Sequence, residues 1–500
     1  MSYDLWLFPS KIKNKESLLA GLTEVLDIAQ SSLNEILKDN QNKASFKLKE
    51  NISEKEKEEL AKLDYPEILI NVNYSRVYAE GEVFSHVVGY VNAVTEKDLV
   101  QSDYYEISDK IGRAGIERYY EEILRGQKGG VLLERFGDKT DVSRTEGGSG
   151  LVLNIDARLQ RKLYAELKNA LISNGSTSGV GIALDPRDGR VLALVSFPAY
   201  DSNSFVGGSF LNRVISGRFS PGSTIKPLIA LAALEEDIIA PQKLINAPGF
   251  IQIQNPFDPK IVYTFRDWKN HGLVDMEKAI GHSSDIYFYT VGGGFYDVKG
   301  LGIERIAKYL RLFKSDSLLG IDLPGETTGF VPTPEWKKKK RGEIWYQGDT
   351  FNVSIGQGDL LVTPLWLTGY IGAVGNGEKF YQPFIASKVL DKNGKVIKSI
   401  EPQVITRLPF KDKHIKIVKE GMRLAATEGT AKILKGLSFP VGAKSGTAEV
   451  IKGESTNSWL SAFAPYDNPQ LVLTIMMESG REGTYMPTQL ALRILQEYFK

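Results

Sequence analysis

Residues 219–228 read FSPGSTIKPL and lead directly into the apolar run LIALAAL at 228–234. Pro221 and Gly222 suit a tight turn. A helix beginning near Ser223 puts Lys226 three residues on, so that a hydroxyl and an amine share one face. Pro227 fits such a start, because the first helical N–H groups have no intrahelical partner to lose. A serine at a helix N-terminus sits among those free N–H groups and the positive end of the helix dipole, which suit a developing oxyanion. A lysine on the same face can take the hydroxyl proton when burial or a neighbouring cation makes it neutral. Read alone, the stretch fits a helix-capping serine with an exposed lysine equally well.

Two later stretches bear on that choice. GHSSDIYFYTVG at 281–292 places Ser283, Ser284 and Asp285 at the opening of an aromatic helix. VGAKSGTAEVI at 441–451 reads as a strand interrupted by Lys444, Ser445, Gly446 and Thr447. Glycine in a strand lets another backbone or a ligand come close, and a lysine with two hydroxyls around it suits a carboxylate. Each has a plainer reading, helix capping for the first and a lysine-guarded edge strand for the second. Their order and spacing behind Ser223 and Lys226 are hard to explain by accident.

The rest of the chain sets the frame. Strand-like YDLWLF (3–8) is followed by Leu18, Leu22, Val25, Leu26, Ala29 and Leu33 at helical spacing. Ser32 and Glu35 form a capping-box pair, which predicts a second helix restarting there. Residues 66–92 are rich in β-branched and aromatic side chains and read as strands. Helical signals return in TEKDLV (95–100) and GIERYYEEIL (115–124). The polar, glycine-ended DKTDVSRTEGGSG (138–150) marks a domain boundary. Beyond it come a strand (151–156), a helix (157–171) and GVGIALDPRDGRVLALVS (179–196), a hairpin around Asp-Pro-Arg-Asp-Gly. Late strands at 442–451, 458–464 and 470–477 predict an antiparallel sheet with a terminal helix, 487–499, packed on it.

At 500 residues the chain has length for two or more domains. Lys and Arg number 62 against 61 Asp and Glu, so no global field favours nucleic acid or an anionic membrane. KKKKR at 337–341 is the one locally basic run and reads as a solvated loop. The chain has no cysteine, which excludes disulfides, thiolate zinc sites and a cysteine nucleophile. Asp267, His271 and His282 match no familiar metal spacing and read as packed or surface groups. Trp6, Trp336 and Trp345 read as packing residues, and so does Trp459, which is also a candidate to line a cleft. No run reaches the roughly 18 apolar residues of a membrane helix.

Ser-x-x-Lys, then Ser-x-Asn, then Lys-Ser/Thr-Gly is the three-motif signature of penicillin-binding proteins and serine β-lactamases, and this chain resembles that group. It is most similar to the elongation type of class B penicillin-binding protein, the penicillin-binding protein 2 group. The resemblance covers nearly the whole length. It includes YDLWLFPSKI, RVYAEGEVFSHVVGYVNAVTEKDL, GRAGIERYYEEILRGQKGG, ALDPRDGRVLALVSFPAYDSNSF, FRDWKNHGLVDMEKAI, LPGETTGFVPTPEW and YQGDTFNVSIGQGDLLVTPLW.

The resemblance implies an α+β multidomain protein: a non-catalytic pedestal or dimerisation-type domain with a helical head insertion at 1–145, and a transpeptidase domain at 146–500 with an antiparallel sheet flanked by helices. It implies a peptidoglycan D,D-transpeptidase acting through a serine acyl-enzyme, inhibited by β-lactams, with no cofactor and no metal. Ser223 is then the nucleophile and Lys226 its base. Ser283 relays a proton to the leaving amine, and Lys444, Ser445, Gly446 and Thr447 hold the substrate. The N–H groups of Ser223 and Thr447 form the oxyanion hole. Asp285 stands where the wider family has Asn. A carboxylate cannot donate a hydrogen bond and raises the pKa of a neighbouring lysine, so its expected role is to accept hydrogen bonds from Lys226 and Ser283.

No Glu-x-x-Leu-Asn stretch of the commonest serine penicillinases lies between Asp285 and Lys444, which favours transfer to an amine over hydrolysis. A β-lactam sensor, a β-lactamase and a non-catalytic scaffold are the alternatives. Family members carry a short cytosolic tail, a membrane helix and an Arg-Gly-x-Ile-x-Asp-Arg-Asn-Gly stretch before the region YDLWLFPS. This chain shows none of them, so the expectation is the extracytoplasmic part of an anchored protein. The partners implied are a RodA-type glycan polymerase and the scaffold protein MreC, through the N-terminal domain.

Overall fold

In the computed structural model the described residues are 2–73, 76–107, 109–127, 130–133, 140–143, 146–255, 258–451, 455–480 and 485–500. They divide by compactness into two units, Met1–Ala79 and Glu80–Lys500.

The first unit is a three-stranded antiparallel sheet covered by helices. Strand β1 (Ser2–Leu7) lies between β2 (Phe46–Ile52) and β3 (Ile68–Asn73), with Leu5 opposite Ile70 and Trp6 opposite Lys47. Leu5 and Leu7 alternate inward onto Leu18, Leu19, Leu22 and Leu26 of α1 (Lys15–Leu26), all buried in one cluster. Helix α2 (Gln30–Asp39) starts two residues before Ser32, with Ala29 at its N-cap. Ser32 and Glu35 therefore lie inside the helix, because the left-handed turn at Asp27 has already redirected the chain. The capping box sits one helix later, at the start of α3 (Glu54–Lys62). There the Ser53 hydroxyl accepts from Glu56 N at 3.2 Å and the Glu56 carboxylate accepts from Ser53 N at 2.6 Å.

Among the described residues, the strands expected over 66–92 are realised only at the two ends, as β3 and as the short strand Tyr90–Ala93. From Glu80 on, the stretch before Tyr90 is held by side chains from elsewhere in the second unit. Its main elements are the helix α4 (Ala157–Asn174), strands β4 (Gly179–Leu184) and β5 (Val191–Phe197), and helices α5 (Lys226–Glu235), α6 (Met276–Gly281), α7 (Asp285–Gly293), α8 (Pro364–Asn376) and α9 (Asp412–Thr427). They are followed by strands β6 (Gly442–Ile451), β7 (Ser455–Ala464) and β8 (Leu471–Gly480) and the terminal helix α10 (Tyr485–Tyr498). Gln160 of α4 donates to the Val83 and Leu194 carbonyls at 2.7 and 2.8 Å, and Arg161 forks onto Glu80. Asp322 accepts from Ile385 N at 2.6 Å, Ala386 N at 2.8 Å and the Tyr120 hydroxyl at 2.8 Å, a three-way clamp on the segment that carries Tyr120.

The five strands pair antiparallel in the order β5-β4-β8-β7-β6. The period-two alternation of strands sends Val180, Ile182, Val472 and Met476 to one face, against α5 and α8, and Ala183, Leu473, Ile475 and Met477 to the other, against α4 and α10. Helix α5 is buried all round, as its unbroken apolar run requires. The antiparallel sheet and terminal helix expected from the sequence are thus present. The expected boundary at 145 falls where residues 138, 139, 144 and 145 lie outside the described residues, and compactness divides the chain at Ala79 instead.

KKKKR at 337–341 is helical rather than a loop, in a helix spanning Pro334–Arg341. Thr333 caps that helix and Pro334 opens it. Lys337 is buried, with its ammonium 2.7 Å from Asp349 and over the ring of Tyr346. Among the described residues no helix is long and apolar enough to cross a membrane.

His86 is buried against Tyr200, its Nε2 donating to the Ser209 carbonyl at 2.9 Å. Burial, with a smaller push from Arg213, lowers its pKa to about 4. The unfolded chain takes up a proton near pH 6.5 while the fold refuses it until about pH 4. Stability is therefore complete above pH 6.5 and falls as pH drops through that window, by up to about 3 kcal/mol. Denaturant titrations of wild type and His86→Gln at pH 7 and pH 4.5 should show a smaller acid loss in the variant.

Candidate active site

Residues 222–225 form one 3-10 turn that runs straight into α5. Gly222 has φ +53° and donates its N–H to the Gly356 carbonyl at 2.9 Å. A Cβ at Gly222 would stand 2.5 Å from the Thr447 carbonyl oxygen, and one at Gly446 would stand 2.9 Å from the Pro221 carbonyl oxygen. The glycine expected to admit a close approach thus admits the backbone of the Ser223 turn itself. These contacts bring the main chains around Ser223 and Thr447 side by side. The Ser223 hydroxyl opens onto a cleft of about 960 Å³ whose walls include Ser283, Asp285, Ser445, Gly446 and Thr447.

The second motif is set by backbone shape. Helix α6 ends at Gly281, Ser283 takes the left-handed φ of +59°, and Ser284 caps α7 by accepting from Tyr287 N. A left-handed serine costs about 1 kcal/mol or more, and here it delivers the Ser283 side chain between two lysines. Lys226 Nζ donates to the Ser283 carbonyl at 2.8 Å, to Ser283 Oγ at 3.2 Å and to Asp285 Oδ1 at 2.6 Å. Lys444 Nζ donates to Ser283 Oγ at 2.8 Å and to the Ser445 carbonyl at 2.8 Å. Both lysines have no exposed surface. Lys226 thus makes three hydrogen bonds and Lys444 two. Burial, and then the charge on Lys226, hold Lys444 well below its usual pKa. Burial also pushes the Asp285 carboxyl up; the Lys226 charge opposes this and Asp267 adds to it.

Three expectations need adjustment. Asp285 accepts from Lys226, while Ser283 Oγ bonds to the two lysines. Lys444 is buried and does not line the cleft wall, where Ser445, Gly446 and Thr447 stand instead. Trp459, a candidate for the cleft, is fully buried: its indole N–H donates to the Ser220 carbonyl at 3.2 Å and its ring meets Phe219 edge-on. Its place opposite Gly446 in the β6–β7 register turns it toward the turn before Ser223.

Sequence reasoning passed over a second layer. Asp267 is wholly buried and accepts four hydrogen bonds: from Trp268 N at 2.8 Å, His271 Nε2 at 3.3 Å, Ser284 Oγ at 2.9 Å and Ile286 N at 3.1 Å. Burial alone would raise its pKa, but His271, the Lys226 charge and the Ile286 N–H together hold it below the usual value. Asp267 therefore fixes the loop that carries Ser283 and Asp285. The signal was its short spacing to His271, read only against metal sites; among the described residues no metal-binding cluster of such groups occurs. Thr430 was also missed: its Oγ1 accepts from Ser445 Oγ at 2.6 Å, at the turn that ends α9. His271 and Asp267 are packed, as expected, whereas the His282 ring faces the cleft.

The family model "Penicillin binding protein transpeptidase domain" matches residues 179–497, and "Penicillin-binding Protein dimerisation domain" matches residues 1–148. A peptidoglycan D,D-transpeptidase MrdA of Haemophilus influenzae is 32% identical over 99% of this chain and 81% of its own length. The MrdA of Escherichia coli K12 is 31% identical over 97% and 82%. Among solved structures, the Helicobacter pylori PBP2 in complex with MreC aligns over 100% of this chain and 94% of that one, with a TM-score of 0.82 and 27% identity. The Pseudomonas aeruginosa PBP2 in complex with WCK 5153 aligns over 85% and 90%, with a TM-score of 0.72 and 30% identity. The chain belongs to the penicillin-binding protein transpeptidase family.

Replacing Asp267 by Asn sets an amide N–H₂ against two of four donors that now meet oxygen. The expected cost is about 2 kcal/mol in stability, together with a roughly tenfold slower covalent labelling by a fluorescent penicillin. Stopped-time labelling at saturating penicillin checks the second effect; wild-type rates in the variant would remove Asp267 from any role in setting the loop.

Proposed function

We propose that the chain is a peptidoglycan D,D-transpeptidase that cross-links stem peptides during cell elongation, through an acyl-enzyme on Ser223 that β-lactams also form. The observation that carries this reading is one hydroxyl, Ser283 Oγ, held between two buried lysines beside a cleft-facing serine. In the proposed mechanism Ser223 Oγ attacks the penultimate carbonyl of a D-alanyl-D-alanine end, and the N–H groups of Ser223 and Thr447 receive the oxyanion. The donor's terminal carboxylate lies on Ser445 and Thr447, above Lys444.

In this reading the free site holds Lys226, which meets Asp285, as the ammonium and Lys444 as the neutral amine. A substrate carboxylate over Lys444 favours the opposite assignment. Ser283 offers the route: its hydroxyl proton passes to Lys444 as it takes one from Lys226. Lys226 is then neutral and accepts the Ser223 proton as general base. The proton returns through Ser283 to the amine of the departing D-alanine. Asp285 and Asp267 set the charge against which this exchange occurs.

The division of labour we propose follows the sequence: residues 1–145 as the non-catalytic pedestal and 146–500 as the transpeptidase domain. The solved relative in complex with MreC supports an MreC-type scaffold as a partner, and the N-terminal region is proposed as the part that meets it. A RodA-type glycan polymerase is the second partner proposed. Stem peptides are cross-linked outside the cytoplasmic membrane, and this chain is proposed to act there, on an anchor like that of its family.

Incubation with a fluorescent penicillin should give covalent label on the wild type, none on Ser223→Ala, and persistence of the label for hours. Equal label on both proteins, or none on the wild type, overturns the acyl-serine. Release within seconds would point to a β-lactamase.

A further inference from the structure

Beside Ser283 the cleft carries two polar groups that the acylation half of the reaction does not use. His282 closes α6, with its N–H donating to the Lys278 carbonyl at 2.8 Å and its ring on the cleft wall. Among the described residues neither ring nitrogen has a hydrogen-bond partner. Glu428, just past the end of α9, lines the same cleft with an exposed carboxylate and makes no ion pair among the described residues. Three neighbouring charged groups are committed elsewhere: Lys226 and Lys444 to Ser283, and Asp267 to its four donors.

The charged groups facing His282 are Lys269 and His271 from the segment before α6, Lys278 on α6 itself and Glu428 from beyond α9. Burial, then Lys269 and His271, hold its pKa below the ordinary value, while Glu428 opposes them. The ring is therefore neutral at neutral pH, and it lines the same cleft as the Glu428 carboxylate, whose charge it feels.

The departing amine leaves past Ser283. By microscopic reversibility the incoming amine enters by the same place. It arrives as an ammonium, which needs an anion to bind it and a neutral base to free its lone pair. We propose that Glu428 and His282 form the acceptor-amine subsite, Glu428 binding the incoming primary ammonium and His282 taking its surplus proton. This rests on the acyl-enzyme reading above. The R–NH₃⁺ group gives one proton to a His282 ring nitrogen. The amine then attacks the acyl carbonyl carbon: the C–N bond forms, the C–O bond to Ser223 breaks, and the second N–H proton passes through Ser283 to Ser223 Oγ. His282 releases its proton to water, and the products are an amide and free serine.

The test uses a thioester of an N-acylated D-alanine as donor and glycinamide as acceptor, and reads the ratio of amide product to hydrolysis product. Only acylated enzyme enters that ratio, so a poorly folded fraction does not move it. His282→Gln and Glu428→Gln should each lower the ratio roughly tenfold or more at neutral pH, with Glu428→Gln acting by a higher KM for glycinamide. In the wild type the ratio should fall as pH drops through the lowered pKa of His282, and that acid limb should be missing in His282→Gln. Wild-type ratios in both variants overturn the subsite while leaving the acyl-serine in place. A ratio that rises in Glu428→Gln also overturns it, because Glu428 would then be serving water. A wild type that forms no acyl-enzyme from the thioester overturns both readings.

Discussion

Two lysines share one serine hydroxyl in the interior of this protein, with one carboxylate in contact and a second just behind it. Charges so placed cannot be relaxed by water, and burying an ammonium is tolerable only where partners neutralise it. The surrounding structure can be understood as what that arrangement requires. Asp285 must stand within contact of Lys226, so the chain turns left-handed at Ser283 immediately before α7. Asp267 must hold that turn, so one of its carboxylate oxygens accepts from Ser284 Oγ and Ile286 N, and it receives the field of Lys226 in return. Lys444 must lie against Ser283 from the sheet side, so β6 is brought against the Ser223 turn, and glycine occupies the points of closest approach.

The same constraint explains why the helix that carries Lys226 is unusual in composition. An amphipathic helix would leave Lys226 on a wet face. In α5 every residue from Lys226 to Leu234 is buried, and Tyr370 of α8 even supplies an acceptor for the Leu228 N–H that follows the proline. The amine is therefore kept dry by its own helix, by α7 and by the aromatic ring of Phe288 beneath it.

Much of this was legible in the sequence because it rests on short-range spacing. Ser223 and Lys226 lie one turn apart, and the late strands announce themselves by β-branched runs. The hairpin at Asp185–Gly189 was marked by its turn residues. What stayed hidden depends on partners distant in the chain. In place of the strand expected before Tyr90, Glu80 and Val83 are held by Arg161 and Gln160, residues that no local pattern connects to them. KKKKR looked solvated because nothing nearby announces that Asp349 and Tyr346 cover its first lysine. Trp459 follows the third motif closely in sequence, but strand alternation and register, not proximity, decide which side of the sheet it faces.

The burial of Lys444 has a meaning for what the cleft selects. A cation on the surface would demand an anion of matching shape, because contact geometry would set the strength of the pair. In the proposed mechanism a buried amine that takes up its proton only when an anion lies over it is felt instead as a potential, with Ser445 and Thr447 as adaptable donors above it. Such a site reads charge and reach and is indifferent to the atom that bears the charge. Flat and tetrahedral anions on otherwise equivalent ligands should therefore be admitted with little distinction, and selectivity among them passes to the walls of the cleft.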